Sequence, residues 1–400
     1  IYSSAVSPDN VELSAARVQN IPILQRATLL AQLMQEHVGI TVAGAHGKTT
    51  TTSLISHILV QANLQPTTAV GGMILGSSHN ARLGAGKYFV AEVDESDRSF
   101  LQFSPKYSII TNIDLEHVDQ YKDWPEIVSI YYQFIQRTAQ DGLIIAYAED
   151  ERLIPLLAAS HKPFKTYGFS EAADLQAKNV EHYNLSTSFD CYLKGDNLGQ
   201  VMIELPGDHN ILNTLAAITL ALTIGIDFSL IQKALRSFRG VKRRFEVKGD
   251  VNHVRIIDDY AHHPTEIRSS LATARDLKST RLITVFQPHR YSRLQAFMPE
   301  FAQVLAGGDY IIITDVYAAS EEAIEGVSAA KLVELIRLKT NQPVMYLKKN
   351  ELLKHILGLV EPGDLILTLG AGDITLLSDQ ISEALAGESF YPSLKEKMSL

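Results

Sequence analysis

The stretch "HVGITVAGAHGKTTTTSLISHILVQAN", residues 37–63, changes from strand to helix across one short turn. Residues 37–44 form an apolar run of strand length, and residues 48–63 carry Leu54, Ile55, Ile58 and Leu59 on one helical stripe. Strand, tight turn and helix in that order make half of a parallel α/β unit. Such a turn aims backbone N–H groups and the positive helix end at an anion. Lys48 adds a charge for terminal phosphates, and Thr49 or Thr50 offers a hydroxyl to Mg²⁺. The spacing is short for the common phosphate loop, G-x-x-x-x-G-K-[ST]. Gly47, Lys48 and Thr49 match its end, but Val42 stands where its first glycine belongs, and the earlier glycine is Gly44.

The same alternation continues outward. Strands are expected at 88–94, 107–113 and 143–148, then short alternating strands over 180–205 with a turn in "KGDNLG". A long apolar helix follows at 209–225, with Asp208 as its expected N-cap. Near residue 240 the rhythm restarts, with strands at 253–261, 281–287, 309–317, 343–347 and 364–372. The boundary between the two α/β units is placed at "SFRGVKRRFE" (237–246), and the tail after 386 is expected to fray. At the other end, "IYSSAVSP" reads as a strand entering a turn at Pro8, so the chain is expected to begin partway through a domain.

Composition narrows the function classes. Thirty-six basic and 45 acidic residues among 400 leave a net charge of −9, which argues against nucleic acid as the main partner. The run Lys242-Arg243-Arg244 can still meet small anions. The one cysteine, Cys191, rules out an internal disulfide and suits a reducing cytoplasm. No apolar run reaches the length of a membrane span, so no membrane association is expected.

Ligands of open α/β sheets sit beyond the carboxyl ends of the strands, and chemistry-bearing residues gather there. "AEVDESDRSF" (91–100) brings Glu92, Asp94, Glu95 and Asp97, with Glu92 and Asp94 on one strand face. "TNIDLEHVD" (111–119) brings Asn112, Asp114, Glu116, His117 and Asp119. Together with the loop they suggest a nucleotide–metal site. In the second unit "DDYAHHPTEI" (258–267) offers two acids and two histidines, either a metal cluster or a binding loop for a phosphate or amine. "FQPHRYSR" (286–293) offers His289, Arg290 and Arg293, the arginines spaced to share one helix face and clamp a carboxylate or phosphate. "GAGD" (370–373) is a weaker anion-friendly turn.

Read in order, "GAHGKTTTT", "AEVDESDRSF", "TNIDLEHVD", "GDHNILN", "GVKRRFE", "DDYAHHPTE", "FQPHRYSR" and "LTLGAGDI" resemble the Mur ligases. These are the ATP-dependent amide ligases of peptidoglycan synthesis, and the resemblance spans residues 1–385. It implies an α/β architecture: a central P-loop ATPase domain with a parallel-sheet core at 35–240, and a Rossmann-like amino-acid-binding domain at 241–400. Residues 1–34 would be the last part of an N-terminal Rossmann-like domain that binds the UDP portion.

The resemblance also implies residue roles. Gly44, His46, Gly47, Lys48, Thr49 and Thr50 would hold ATP phosphates, with Thr49, Glu92 and His117 as ligands of two Mg²⁺ ions. His209, Asn210 and Asn213 would lie near the adenine, and Arg244 and Asp259 near ribose and phosphates. His262, His289, Arg290 and Arg293 would receive the amino acid; Lys48, His117, His262 and Arg290 would carry catalysis. The implied reaction joins L-alanine to the lactyl carboxylate of UDP-N-acetylmuramate through an acyl phosphate, in the cytoplasm, by a monomer or dimer. Residues 123–137 contain no lysine, so the carbamylated lysine that later-step ligases use is absent here. Addition of a preformed tripeptide, or ATP binding without turnover, are the competing readings. A folylpolyglutamate synthase fits "DDYAHHP" and "FQPHRYSR" less well.

Overall fold

The computed structural model describes residues 1–3, 6–76, 79–116 and 120–387. They divide into two compact units, Ile1–Arg239 and Gly240–Leu400. No helix of the described residues is long and apolar enough to cross a membrane.

The first unit is built on β1 (Val38–Ala43), β2 (Thr67–Ala69), β3 (Ala81–Arg82), β4 (Tyr88–Glu92), β5 (Tyr107–Ile110), β6 (Leu143–Tyr147), β7 (Phe164–Gly168), β8 (Leu175–Tyr183), β9 (Ser186–Leu193) and β10 (Asp196–Ile203). They form one sheet in the order β10-β9-β8-β7-β6-β5-β1-β4-β2-β3. The pairs from β2–β4 across to β7–β8 are parallel. Strand β1 lies in the middle, and its Ile40, Val42 and Ala43 are completely buried. A parallel strand covered on both faces reads as a continuous apolar run, which is what "GITVA" provides.

The helix Lys48–Gln61 follows β1 and is buried on most sides, because Asp208–Thr223 and Phe228–Ser237 both pack on it. The three long antiparallel strands β8–β10 extend the sheet where short alternating strands were expected. Their second hairpin turns at Lys194-Gly195, both at positive φ (50° and 93°), the twist that a two-residue hairpin requires. Strand β7 escaped the sequence reading because "FKTYG" mixes polar and apolar residues. At the amino end no strand forms among the described residues: Tyr2 makes a single bridge to Gln25. Asn10 then caps the helix Val11–Val18, accepting from Glu12 N–H at 2.9 Å.

The second unit carries β11 (Glu246–Val251), β12 (Val254–Asp259), β13 (Arg281–Phe286), β14 (Tyr310–Ile313), β15 (Val344–Tyr346) and β16 (Asp364–Leu369). Their order is β11-β12-β16-β13-β14-β15, all parallel except the β11–β12 hairpin. Val254, Ile256, Ile283, Val285, Ile312 and Ile366 fill its core. The tail expected to fray after 386 falls, from residue 388 on, outside the described residues.

Candidate active site

Register explains why distant motifs meet. Val42 pairs with Glu92 and Ala43 with Ile110 on parallel strands, so the turns after β1, β4 and β5 open at one sheet edge. The turn after β1 is held from below. Asn112 Oδ1 accepts from His46 N–H at 2.9 Å, and its Nδ2 donates to His46 O at 3.0 Å. The Thr111 hydroxyl donates to the same carbonyl at 2.6 Å. Both glycines are required by geometry. Gly44 has φ 127° and a Cβ there would lie 2.1 Å from Thr111 Oγ1; Gly47 has φ 82° and a Cβ would lie 2.3 Å from Asn213 Oδ1. The shortened spacing is thus a loop anchored on the neighbouring strand end rather than a defective Walker A loop.

Lys48 opens the helix and folds back over the loop. Its ammonium donates to Gly44 O at 2.7 Å and to both oxygens of Glu95 at 2.9 Å. Burial alone would depress this ammonium, but Glu95, Asp94 and Glu116 outweigh it and hold it above the usual lysine range. Thr49 and Thr50 are buried on the first helical turn, and the Thr49 hydroxyl donates to Glu92 Oε1 at 2.9 Å. Glu92 also accepts from Gly71 N–H at 2.6 Å. The strand ends at Glu92, so Asp94, expected on the same face, is instead exposed beyond it, accepting from Ser96 N–H at 2.9 Å. His46 reaches Asp114 at 2.9 Å. His117, expected as a metal ligand and catalytic residue, lies outside the described residues.

The "GDHNILN" segment enters the same unit. The N-cap is Gly207, with φ 87°, and Asp208 is the first helical residue rather than the cap, paired with His182 at 3.0 Å. His209 is half-buried on the first turn. Asn210 and Asn213 are buried: Asn210 donates to Pro206 O at 2.8 Å and Asn213 accepts from Thr51 at 3.2 Å. Asn213 therefore packs against the turn after β1 at Gly47.

In the second unit β12 and β13 flank β16, with Asp259 and Phe286 both in register with Leu369. This brings the "DDYAHH", "QPHRYSR" and "GAGD" turns side by side. Asp259 is buried, accepts from Ser270 at 2.6 Å, and is pushed by burial up to about 6. Its neighbour Asp258 is fully buried between Thr368 and Thr375, at 2.8 and 2.7 Å, which makes it structural. His263 caps the helix Pro264–Asp276 in a capping box with Glu266, so it too holds structure. His262 contacts Tyr260 O at 3.0 Å and Glu266 at 3.3 Å.

His289 stacks on Tyr317, 5.5 Å between ring centres, and lies 5.8 Å from the His262 ring. Burial, followed by the charges of His262, Arg293, Arg290 and Arg243, pushes its imidazole down to about 3. Arg290 and Arg293 do not share a helix face as the spacing suggested. Arg290 is the residue before the helix Tyr291–Ala296, at φ 66°, half-exposed and 3.9 Å from Glu321. Arg293 is buried against His289 at 3.2 Å. Arg244 and Arg243 sit over the Tyr260 ring at 4.9 and 4.8 Å. Arg243, part of the basic run expected to meet small anions, donates to Gly370 O and Gly372 O at 2.7 and 3.0 Å and braces the "GAGD" turn. Glu95, one of the acids expected to line a nucleotide–metal site, is the ion-pair partner of Lys48, a pairing that nothing in its spacing marks.

A parallel sheet with a buttressed glycine–lysine loop, a carboxylate at the adjacent strand end and a second parallel-sheet unit define an α/β protein of the class that receives ligands beyond its strand ends. Residues 42–221 match the Mur ligase middle domain, 243–372 the Mur ligase glutamate ligase domain, and 1–38 the Mur ligase catalytic domain. The chain belongs to the Mur ligase family and is an ATP-dependent amide ligase. It is 43% identical over 389 residues to the UDP-N-acetylmuramate–L-alanine ligase of Geotalea uraniireducens, covering 97% of this chain and 85% of that protein. The protein of the same name from Geobacter sulfurreducens is 42% identical over 399 residues, 99% of this chain and 84% of the relative. Among solved structures, UDP-N-acetylmuramate-alanine ligase from Thermotoga maritima superposes with a TM-score of 0.80 at 29% identity, covering 96% of this chain and 84% of that one.

Proposed function

We propose that this chain joins L-alanine to the lactyl carboxylate of UDP-N-acetylmuramate, with ATP cleaved to ADP and phosphate, in the cytoplasmic stage of peptidoglycan precursor synthesis. The observation that carries the reading is the Lys48 loop with Glu92 beside it, in a chain whose relatives at 41–44% identity bear that activity in their names. A carboxylate is a poor electrophile toward an amine. Phosphorylation supplies a leaving group: the carboxylate oxygen attacks the γ-phosphorus, the bond to the β–γ bridging oxygen breaks, and ADP departs. The alanine amine then attacks the acyl carbon, loses its proton and expels phosphate.

Lys48 and the N–H groups of the loop neutralise and position the phosphates, which is most of what phosphoryl transfer asks of a protein. The Thr49 hydroxyl and Glu92 carboxylate, 2.9 Å apart, are hard oxygen donors of the kind Mg²⁺ takes, and they fit the ion. Bound there, Mg²⁺ would offset charge on the phosphate oxygens; a second ion would fall to His117. In the second unit Arg244 and Asp259 meet the nucleotide, and His262, His289, Arg290 and Arg293 take up the amino acid, the arginines receiving its carboxylate. His46, Thr50, His209, Asn210 and Asn213 shape the ATP pocket.

The test is phosphate release by the protein with ATP, Mg²⁺ and UDP-N-acetylmuramate, with L-Ala, Gly, L-Ser or a stem tripeptide supplied in turn. Release that depends on L-alanine is expected. Release only with the tripeptide would move the chain to peptide recycling, and no release with any amine would overturn ligation.

A further inference from the structure

Lys48 Nζ has three N–H donors. It directs them at Gly44 O (2.7 Å) and at both oxygens of Glu95 (2.9 Å each), with Ala45 O at 3.3 Å. The ion pair is nearly dry, with side-chain exposures of 13% for Lys48 and 5% for Glu95. A phosphate oxygen can therefore bond to Lys48 only by displacing an acceptor already in place. The Gly44 carbonyl belongs to a tightly packed stretch of backbone. Gly44 has Thr111 and Asn112 packed against it closely enough to leave no room even for a Cβ. The backbone of Glu95 is also fixed, since Tyr121 donates its hydroxyl to the Glu95 carbonyl and Arg98 N–H donates there at 3.0 Å. Among these acceptors the Glu95 carboxylate is the one carried by a side chain, whose position depends on rotatable bonds rather than on the loop backbone.

The geometry points to Glu95 as a built-in rival of the phosphate: a carboxylate that occupies Lys48 and sets how tightly the loop holds a nucleotide. This rests on the reading of Lys48 as a phosphate ligand. Physically, such a rival does two things. It keeps a buried ammonium compensated at all times, which an isolated one could not be. It also weakens the hold on ADP, because the carboxylate competes for the same donors and repels the phosphates. Glu95 is then a positioning residue that acts through Lys48.

The test is calorimetric titration of ADP in EDTA, so that no metal contributes, into the wild-type protein, Glu95→Gln and Glu95→Ala, with thermal melts confirming the fold. The expected result is a Kd about tenfold lower in both variants, the size of effect that one removed like charge gives at this range. The alanine variant, which cannot bond Lys48 at all, decides the matter if the glutamine variant does not fold. Unchanged or weaker ADP binding by a folded variant, with wild-type binding intact, would overturn the rivalry. Weakening seen only when Mg²⁺ is restored would overturn it too, by making Glu95 a metal ligand. If wild-type protein and Lys48→Ala take ADP equally poorly, the phosphate-loop reading itself falls, and the role of Glu95 with it.

Discussion

The Thr49 hydroxyl donates to the Glu92 carboxylate at 2.9 Å, joining the first turn of a helix to the end of a strand 43 residues later. That contact exists because β1 and β4 run parallel in register, with Val42 opposite Glu92. It places two hard oxygen donors beside a lysine at one sheet edge.

If the pair holds Mg²⁺, Glu92→Gln should raise the Mg²⁺ concentration needed for half-maximal phosphate release by tenfold or more, roughly what even outer-shell changes cost. ADP binding measured in EDTA should stay within about twofold, since one neutral donor replaces one charge away from Lys48. An unchanged Mg²⁺ requirement would remove Glu92 from the metal site.

Gly47→Ala should destabilise the first unit and abolish nucleotide binding. The position sits at φ 82° with Asn213 Oδ1 2.3 Å from the new Cβ, so backbone strain of about 1–2 kcal/mol adds to a steric clash. Asn213→Ala introduced alongside should recover part of the melting temperature, because it relieves the clash and leaves the strain. Chemical denaturation of the single and double variants measures both.

Asp259 gives a pH-dependent prediction. Its carboxyl is pushed up to about 6 by burial, with Ser270 and Arg244 opposing and Glu266 adding to the rise. The folded state therefore holds a proton that the unfolded chain releases near 3.8. Its stabilising contribution is full below that value and is lost as pH rises through about 6. Asp259→Asn should thus be more stable than wild type above pH 6, by roughly 2 kcal/mol, with the gap closing toward pH 4. Activity should fall nonetheless, as expected where function retains a costly buried charge. Equal stability at both ends of the range would refute the assignment.

His289 predicts the opposite slope. Its imidazole is held neutral down to about 3 by burial and by the neighbouring His262, Arg293, Arg290 and Arg243. An unfolded histidine takes up a proton near 6.5, so the contribution of His289 is full above that value and is lost as pH falls toward 3. His289→Gln should flatten the decline of stability below pH 6.5, read as melting temperature against pH beside wild type.

Arg293→Lys should raise the KM for L-alanine by about tenfold or more while leaving the KM for ATP little changed. A buried guanidinium against His289 at 3.2 Å presents a planar fork that an ammonium cannot copy. Initial rates with each substrate varied in turn decide it.

The family, the α/β alternation and the motifs at strand ends could all be read from the residues in order. Those signals are local: an apolar run, a glycine turn and a helical stripe announce a buried strand, an anion-facing loop and a packed helix without reference to anything distant. Which motif answers which depends on the fold. Sheet order sets β4 and β5 on either side of β1, although β2 and β3 come first along the chain. The same order gives Lys48 its partner in Glu95, and Asn213 its place under Gly47. It also decided that Asp258 and His263 are bracing residues and that Arg290 stands outside the helix that carries Arg293. Charge and spacing could not have shown this, because burial and hydrogen-bond partners depend on strands brought together from far along the chain. The glycine–lysine turn was legible from 27 letters; the carboxylate paired with its lysine needed the sheet.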